Sequence, residues 1–365
     1  MRQALALSAA STLLVAACAL PTGGMYVAGT GPACRENARP ASDLEVVWVR
    51  AAAARDRALQ SAWCATVGEP VVIPEPGDRF AGAASTDSLL VLSWNMNLGG
   101  GDLLSLLQAE VGVSCGGPSR PEATPARPFV LLVQEAYRRS ERLPPAPPSE
   151  LVPRTLDPLS AADVDQDITA LAARCGLALV YVPSHRNGPD SGARPREDRG
   201  NAILSSLPLT GHAAIDLPFE AYRRVATVAE ARLQGRAPLR VVSAHLDVSG
   251  LPFRAVTSGG QTRARQAAGL AEGIELLAEL RPPVSGTVVG ADMNTWSADE
   301  AAVRVMRVAL PESPPHDRLA TRGAFPADHI FFRSGLGGPL ASGYRVVERT
   351  FGSDHHARSL SLTWP

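Results

Sequence analysis

Four apolar runs in this chain each end in one or two polar, mostly titratable residues. Leu89–Trp94 runs into Asn95, Phe129–Val133 into Gln134 and Glu135, Leu239–Ala244 into His245, and Thr287–Ala291 into Asp292. Runs rich in valine that also carry glycine suit buried strands more than helices. A fifth stretch, Phe351–Ser353, leads into Asp354 and His355. Buried strands that each finish in a polar group are the layout of a site built on the rim of a sheet. Within Gly290–Asn294, Asp292 and Asn294 are two apart, so on an extended chain they face one side. A strand running into an Asx-rich turn would give the same letters. The weight therefore lies in the repetition along the chain.

With 365 residues, 45% hydrophobic and 19% charged, the chain has a globular composition. Its net charge of −1 supplies no overall basic field to recruit nucleic acid or anionic lipid. The N-terminus reads as a targeting segment. Arg2 precedes an apolar run, Ala4–Ala17, that is too short to span a bilayer comfortably, and Leu14–Cys18 resembles a bacterial lipoprotein signal. Residues 1–18 are therefore expected to be a signal peptide ending in a lipidated Cys18, with cleavage near Ala19 and plain secretion as the alternative. Either way the chain is exported, as a lipid-anchored protein at the periplasmic or outer-membrane face or as a secreted one. The remaining cysteines, Cys34, Cys64, Cys115 and Cys175, are even in number, which suggests two disulfides in an oxidising compartment. The pairing nearest in sequence is Cys34–Cys64 and Cys115–Cys175. No C-x-x-C spacing marks a zinc site.

Residues 19–87 read as a Gly/Pro/Thr-rich tether to about residue 40, a helix over 42–63 and a Pro-rich linker over 68–87. The main domain is expected over 88–365. Its strands are predicted near 89–94, 129–133, 177–182, 200–205, 224–232, 239–245, 287–291, 328–333, 344–348 and 358–363. Helices are predicted near 102–109, 161–174, 261–280 and 298–309. Residues 138–160 are too rich in proline for a regular element. Mixed strands and helices of this kind suggest an α/β sandwich with helices outside.

Seven short stretches, in this order, carry a family resemblance: Ser93–Asn95, Gln134–Glu135, Arg199–Ser205, Ser243–Leu246, Gly290–Asn294, Ala327–Ile330 and Ser353–His355. Together they resemble the endonuclease/exonuclease/phosphatase superfamily of metal-dependent phosphoesterases, DNase I-like in fold. The resemblance covers roughly residues 88–365. It implies a four-layer α/β/β/α sandwich with a site at one rim. Glu135 is then the first metal ligand, helped by Asn95 and Asp354. Asp292 and His355 would activate water, Asn294 would contact the phosphate, Asp328 would orient His355, and His245 would be the general acid. Asn201 and Arg199 would line the substrate pocket. Ile330 stands two places after Asp328, with His329 where the family commonly has an aromatic residue.

The implied chemistry is coherent. A hard divalent cation such as Mg²⁺, or Mn²⁺, neutralises phosphate oxygens and is held by carboxylates and amide oxygens. The substrate would be a phosphoester: nucleic acid, a phospholipid headgroup of the sphingomyelin kind, or a small phosphorylated molecule. The chain is expected to be a monomer that meets a membrane only through its N-terminal lipid. A reading from another class is a non-catalytic lipoprotein that uses the same fold as an interaction module.

Overall fold

Period-two alternation along the strands sets the layers of this protein. The structure is a computed structural model that describes residues 24–31, 46–81, 87–115, 127–145, 166–187, 196–248, 260–314 and 319–365. Strands are numbered in chain order. One seven-stranded sheet runs, edge to edge, through β1 (Met25–Gly31), β2 (Val46–Ala51), β8 (Leu209–Asp216), β9 (Val225–Ala231), β10 (Leu239–His245), β11 (Gly286–Asp292) and β12 (Asp328–Ser334). The other runs through β13 (Leu340–Val346), β14 (Arg358–Thr363), β4 (Ser88–Asn95), β5 (Phe129–Arg139), β7 (Glu197–Ser205), β6 (Ala178–Arg186) and β3 (Val71–Ile73). The β10–β11 and β4–β5 pairs are parallel, so the strands that end in site residues point the same way within each sheet.

The inner faces of the two sheets pack on each other through Val91, Leu132, Val241, Val288 and Phe332. The alternate residues Leu92, Leu131 and Val133 face outward, against α2 (Leu103–Val111) and α3 (Ile168–Cys175). On the opposite side Val242, Val289 and Ala291 pack against α4 (Gln261–Leu280) and α5 (Ala301–Ala309). The result is the expected four-layer α/β/β/α sandwich. Cys115 and Cys175 are joined, as expected, and tie the loop after α2 to the end of α3. Cys64 is also in a disulfide. Its expected partner Cys34, the signal-like segment 1–18 and most of the Pro-rich stretch 138–160 lie outside the described residues.

The region before residue 88 differs from the expectation. Val46–Ala51 is a buried strand, and the helix α1 starts only at Ala54 and ends at Cys64. The β-branched and aromatic run Val46–Val49 favours a pleated surface, and it is nearly all buried in the sheet. Residues 25–31, read as tether, pair with it as an edge strand. Residues 71–73, read as linker, pair with β6 at the other sheet's edge. The strand β8 was not predicted either. β5 also runs on to Arg139, beyond its predicted end, by way of a bulge between Val133 and Ala136.

Toward the rim the inner face turns from apolar to small and polar: Ser93 follows Val91, Gln134 follows Leu132, Ser243 follows Val241, and Gly290 follows Val288. The Gln134 amide nitrogen reaches Ser93 Oγ at 3.3 Å in its own sheet, and Ser243 Oγ at 3.2 Å and the Gly290 carbonyl at 3.3 Å in the other. Gly290 has no room for a side chain there. A Cβ would stand 2.7 Å from the Ser93 Cβ and 2.8 Å from the Leu132 Cδ1. Gly290→Val is expected to destabilise the fold by about 1–3 kcal/mol, the range for overpacking. Urea unfolding measures it, and an unchanged midpoint would show that the sheets are not held this closely.

Candidate active site

Above that polar layer, Asn95, Glu135, His245, Asp292, Asn294, Asp328 and His355 converge on one rim. Asn95, His245 and Asp292 are the last residues of β4, β10 and β11, and Asp328 is the first of β12. The register aligns His245 with Asp292 and Asp292 with Asp328. Five non-glycine residues among those described have positive φ: Asn97, Leu98, Glu135, Asn294 and Phe351. Two are site residues, and the other three lie in the loops that follow β4 and precede His355. Backbone held in this region costs free energy and tends to concentrate at functional sites. For Glu135 the cause is local. It sits in the β5 bulge, which re-aims its side chain.

Asp292 is the hub. Its Oδ2 accepts a hydrogen bond from the Asn95 side-chain amide at 2.8 Å, and its Oδ1 accepts from the Asn294 backbone N–H at 2.8 Å. Two imidazoles flank the carboxylate, with His245 Nε2 at 3.4 Å and His355 Nε2 at 3.8 Å. Burial, and then the charge of Asp328, raise its pKa to about 6. His355 bonds through Nδ1 to Asp328 Oδ2 at 2.7 Å. Burial disfavours its cation, but Asp328, Asp292 and Asp354 outweigh that and raise its pKa to about 9. At neutral pH it is therefore an imidazolium. The loop carrying His355 is pinned back to β4, because Ser353 Oγ donates to the Asn95 carbonyl and Trp94 Nε1 to the His355 carbonyl.

His245 has the opposite electrostatics. Burial first, then the positive Arg224 and Arg199, hold its pKa well below the usual 6.5, so it is neutral. The Asn294 amide nitrogen lies 2.9 Å from its Nε2 and 2.9 Å from the Leu246 carbonyl. That makes Nε2 the acceptor and leaves the proton on Nδ1, 3.8 Å from Glu135 Oε1. Glu135 accepts from the Leu98 N–H through Oε2. Its Oε1 has no bonded partner among the described residues.

Asn201 and Arg199 lie on the other side of His245. They line a small cavity together with Glu135, His185, Arg224 and His245. The Asn201 side-chain amide is spent on the Val225 carbonyl. Arg199 Nε is held by His185 Nε2 at 2.6 Å, and burial lowers its pKa to about 10. Asp354 sits at the mouth. It is half-exposed, paired with Arg322 at 2.9 Å, and lies 3.8 Å from His355 Nε2. His185 and Arg224 were not singled out as site residues by the sequence. His185 falls in what read as a loop and Arg224 at the start of an ordinary strand, so only the fold reveals their position. The helix residues Arg263, Arg265 and Gln266 are structural. Arg263 pairs with Glu300, Arg265 with Glu220 and Asp56, and Gln266 accepts from the Asp247 N–H.

Two groupings could hold a cation. Asp292, Asp328 and His355 offer ligand atoms within 4.8 Å of one another. In that set Asp328 Oδ2 already bonds His355 Nδ1, while the buried Asp328 Oδ1 has no hydrogen-bond partner among the described residues. Glu135 has a free oxygen, Asn95 keeps a second lone pair beside its bond from the Asn97 N–H, and Asp354 stands at the mouth. That oxygen-only set suits a hard divalent ion. The Asp328–His355 pair carries a prediction. Because folding raises the His355 pKa, the pair stabilises the protein fully below about pH 6.5 and loses that contribution as pH rises through about 9. Asp328→Asn should lower the His355 midpoint by about 1–3 units, followed by NMR on metal-free protein. A midpoint that does not move would remove Asp328 as the cause.

Residues 92–355 match the Endonuclease/Exonuclease/phosphatase family. No curated protein sequence matches the chain. Among solved structures, an endonuclease/exonuclease/phosphatase from Beutenbergia cavernae is 16% identical, with a TM-score of 0.48, over 76% of this chain and 72% of that one. The human Nocturnin catalytic domain with a bound sulfate anion is 14% identical, with a TM-score of 0.47, over 77% and 96%. Sphingomyelinase C from Streptomyces griseocarneus is 16% identical, with a TM-score of 0.43, over 76% and 99%. With the match spanning most of its length and the rim assembled from the same stretches, the chain belongs to the Endonuclease/Exonuclease/phosphatase family.

Proposed function

We propose that this chain is a divalent-metal-dependent phosphodiesterase. The observation that carries the reading is the hydrogen-bonded Asp292, fixed by Asn95 and Asn294 between a neutral and a charged histidine. Glu135, with Asn95 and Asp354, would hold Mg²⁺ or Mn²⁺, which supplies charge neutralisation at the phosphoryl group and at the leaving oxygen.

The chain's own residues divide the remaining work. Asp292, ionised above about pH 6, accepts the proton of the attacking water. His355 is already protonated at neutral pH, which suits it to stabilise negative charge on the phosphoryl group rather than to act as a second base. Asp328 keeps it charged and oriented. His245 is neutral because burial and two arginines disfavour its cation. An arriving phosphoryl anion offsets those charges, so His245 takes up a proton as substrate binds and can pass it to the leaving oxygen. Both hydrogens of the Asn294 amide are taken by His245 Nε2 and the Leu246 carbonyl, so Asn294 holds His245 in place, while Asn201 and Arg199 line the adjoining cavity.

The chain is also proposed to be exported. The disulfides at Cys115–Cys175 and at Cys64 support an oxidising compartment. The lipoprotein-like ending at Cys18 supports a lipid anchor.

Hydrolysis of bis-p-nitrophenyl phosphate, with and without Mg²⁺ or Mn²⁺, tests the activity. Turnover should require the metal and fall by about 10²–10⁴-fold in Asp292→Asn, the usual worth of a positioned general base. Glu135→Gln should fall comparably and respond less to added metal. A wild-type protein silent on this substrate and on natural diesters and monoesters would favour the interaction-module reading.

A further inference from the structure

Beside Asn294, on the side away from the arginine cavity, a second and larger pocket opens. It is lined by Val248, Thr295, Trp296, Arg322, Phe325 and Ala327 as well as Asn294. Its aromatic walls are exceptional in this fold. Trp296 is 44% exposed, whereas the other four tryptophans are buried. Phe325 is 39% exposed, whereas every other described phenylalanine is buried. Val248, 42% exposed, completes the apolar rim. Exposed apolar side chains that converge on one concavity forgo burial and mark a binding surface.

The walls are preorganised. The Trp296 and Phe325 rings meet edge-to-face, with centroids 4.5 Å apart and planes at 71°. The loop after β11 is tied to the loop before β12 by Met293 N–H donating to the Ala327 carbonyl and Thr295 Oγ1 donating to the Pro326 carbonyl. The Trp296 N–H donates to Glu300, which is itself paired with Arg263. The indole N–H has no partner among the described residues and is available to a ligand.

We infer that this pocket takes the planar aromatic ring of the substrate, a nucleobase attached through its sugar to the phosphate at the rim. The inference rests on the phosphodiesterase reading for the position of that phosphate. Continuity supplies the link. Asn294 bonds His245 on one side and lines the pocket on the other. Trp296 follows Asn294 by two residues, so their Cα atoms are at most about 7.6 Å apart, within reach of one sugar. The lining is otherwise apolar or neutral, and its one cation, Arg322, stands at the mouth paired with Asp354. Aromatic walls that form a recess, rather than a protruding apolar surface set among cations, fit an inserted ring better than a bilayer. Base-on-aromatic stacking accepts any base, so a preference for nucleotides follows without a preference for sequence.

The test compares adenosine 5′-monophosphate with ribose 5-phosphate by calorimetric titration of the intact chain, with NMR to verify that both ligands stay whole. The nucleotide should bind at least about tenfold more tightly, as one stacked base implies. Trp296→Ala should abolish that ratio and Trp296→Phe should retain most of it. Equal binding of the two ligands, a ratio unmoved by Trp296→Ala, or no nucleotide binding at millimolar concentration would overturn the inference. So would phosphatidylcholine vesicles whose binding, unlike that of the nucleotide, depends on Trp296. Absence of metal-dependent turnover would sink the phosphodiesterase reading and leave the binding ratio standing. Equal binding would sink the ring pocket and leave the turnover standing.

Discussion

The site depends on a set of hydrogen bonds that cross from one sheet to the other. Two apolar sheets can slide over each other at little cost, because dispersion and hydrophobic contact are not directional. At the rim that freedom ends. Gln134 on one sheet reaches Ser243 and the Gly290 carbonyl on the other, and Asn95 reaches Asp292. These are buried bonds, and breaking one leaves a desolvated polar group unpaired, which costs about 1–3 kcal/mol. They fix the relative position of the sheets at the level where Glu135 from one must face His245 and Asp292 from the other. The missing side chain at Gly290 makes the close approach possible.

The two histidines show how one rim holds chemically identical groups in opposite states. His355 is surrounded by carboxylates and keeps its proton. His245 is buried facing arginines and loses it. Asp292 lies between them with a pKa near the working range of a base. Environments that push neighbouring pKa values apart are what separate acid and base roles in a single cleft. The strained backbone at Glu135 and Asn294 fits the same picture, since each is bent out of the preferred regions so that its side chain faces the cleft.

Much of this was legible before any coordinates. Apolar runs that lead into Asn95, Glu135, His245 and Asp292 are local signals, although β5 continues past Glu135 through its bulge. The mixture of strand-like and helix-like runs suggested an α/β sandwich, and the family resemblance implied its four layers. Other features were not legible because they arise from tertiary context. β1 is an edge strand with most of its residues exposed, so it carries no apolar run to announce it. Val46–Ala51 was absorbed into the helical pattern of the alanine-rich segment after it. The Trp296–Phe325 pair is 29 residues apart in the chain and is joined only by the bonds between two loops. Arg224 lies just before β9 of one sheet and His185 in β6 of the other, and each alone reads as an ordinary polar residue.

The N-terminal strand alters how a lipid on Cys18 would act. With residues up to 40 as tether, the folded body could roam far from its anchor. Instead Met25 already belongs to the sheet, bonded to β2 and to Glu272 of α4. Seven residues of fully extended chain reach at most about 25 Å. A chain anchored at Cys18 would therefore lie against the bilayer with its β1 edge nearest the lipid. On such an anchor the body would turn on a short stalk, and the membrane would become part of the steric boundary of the site.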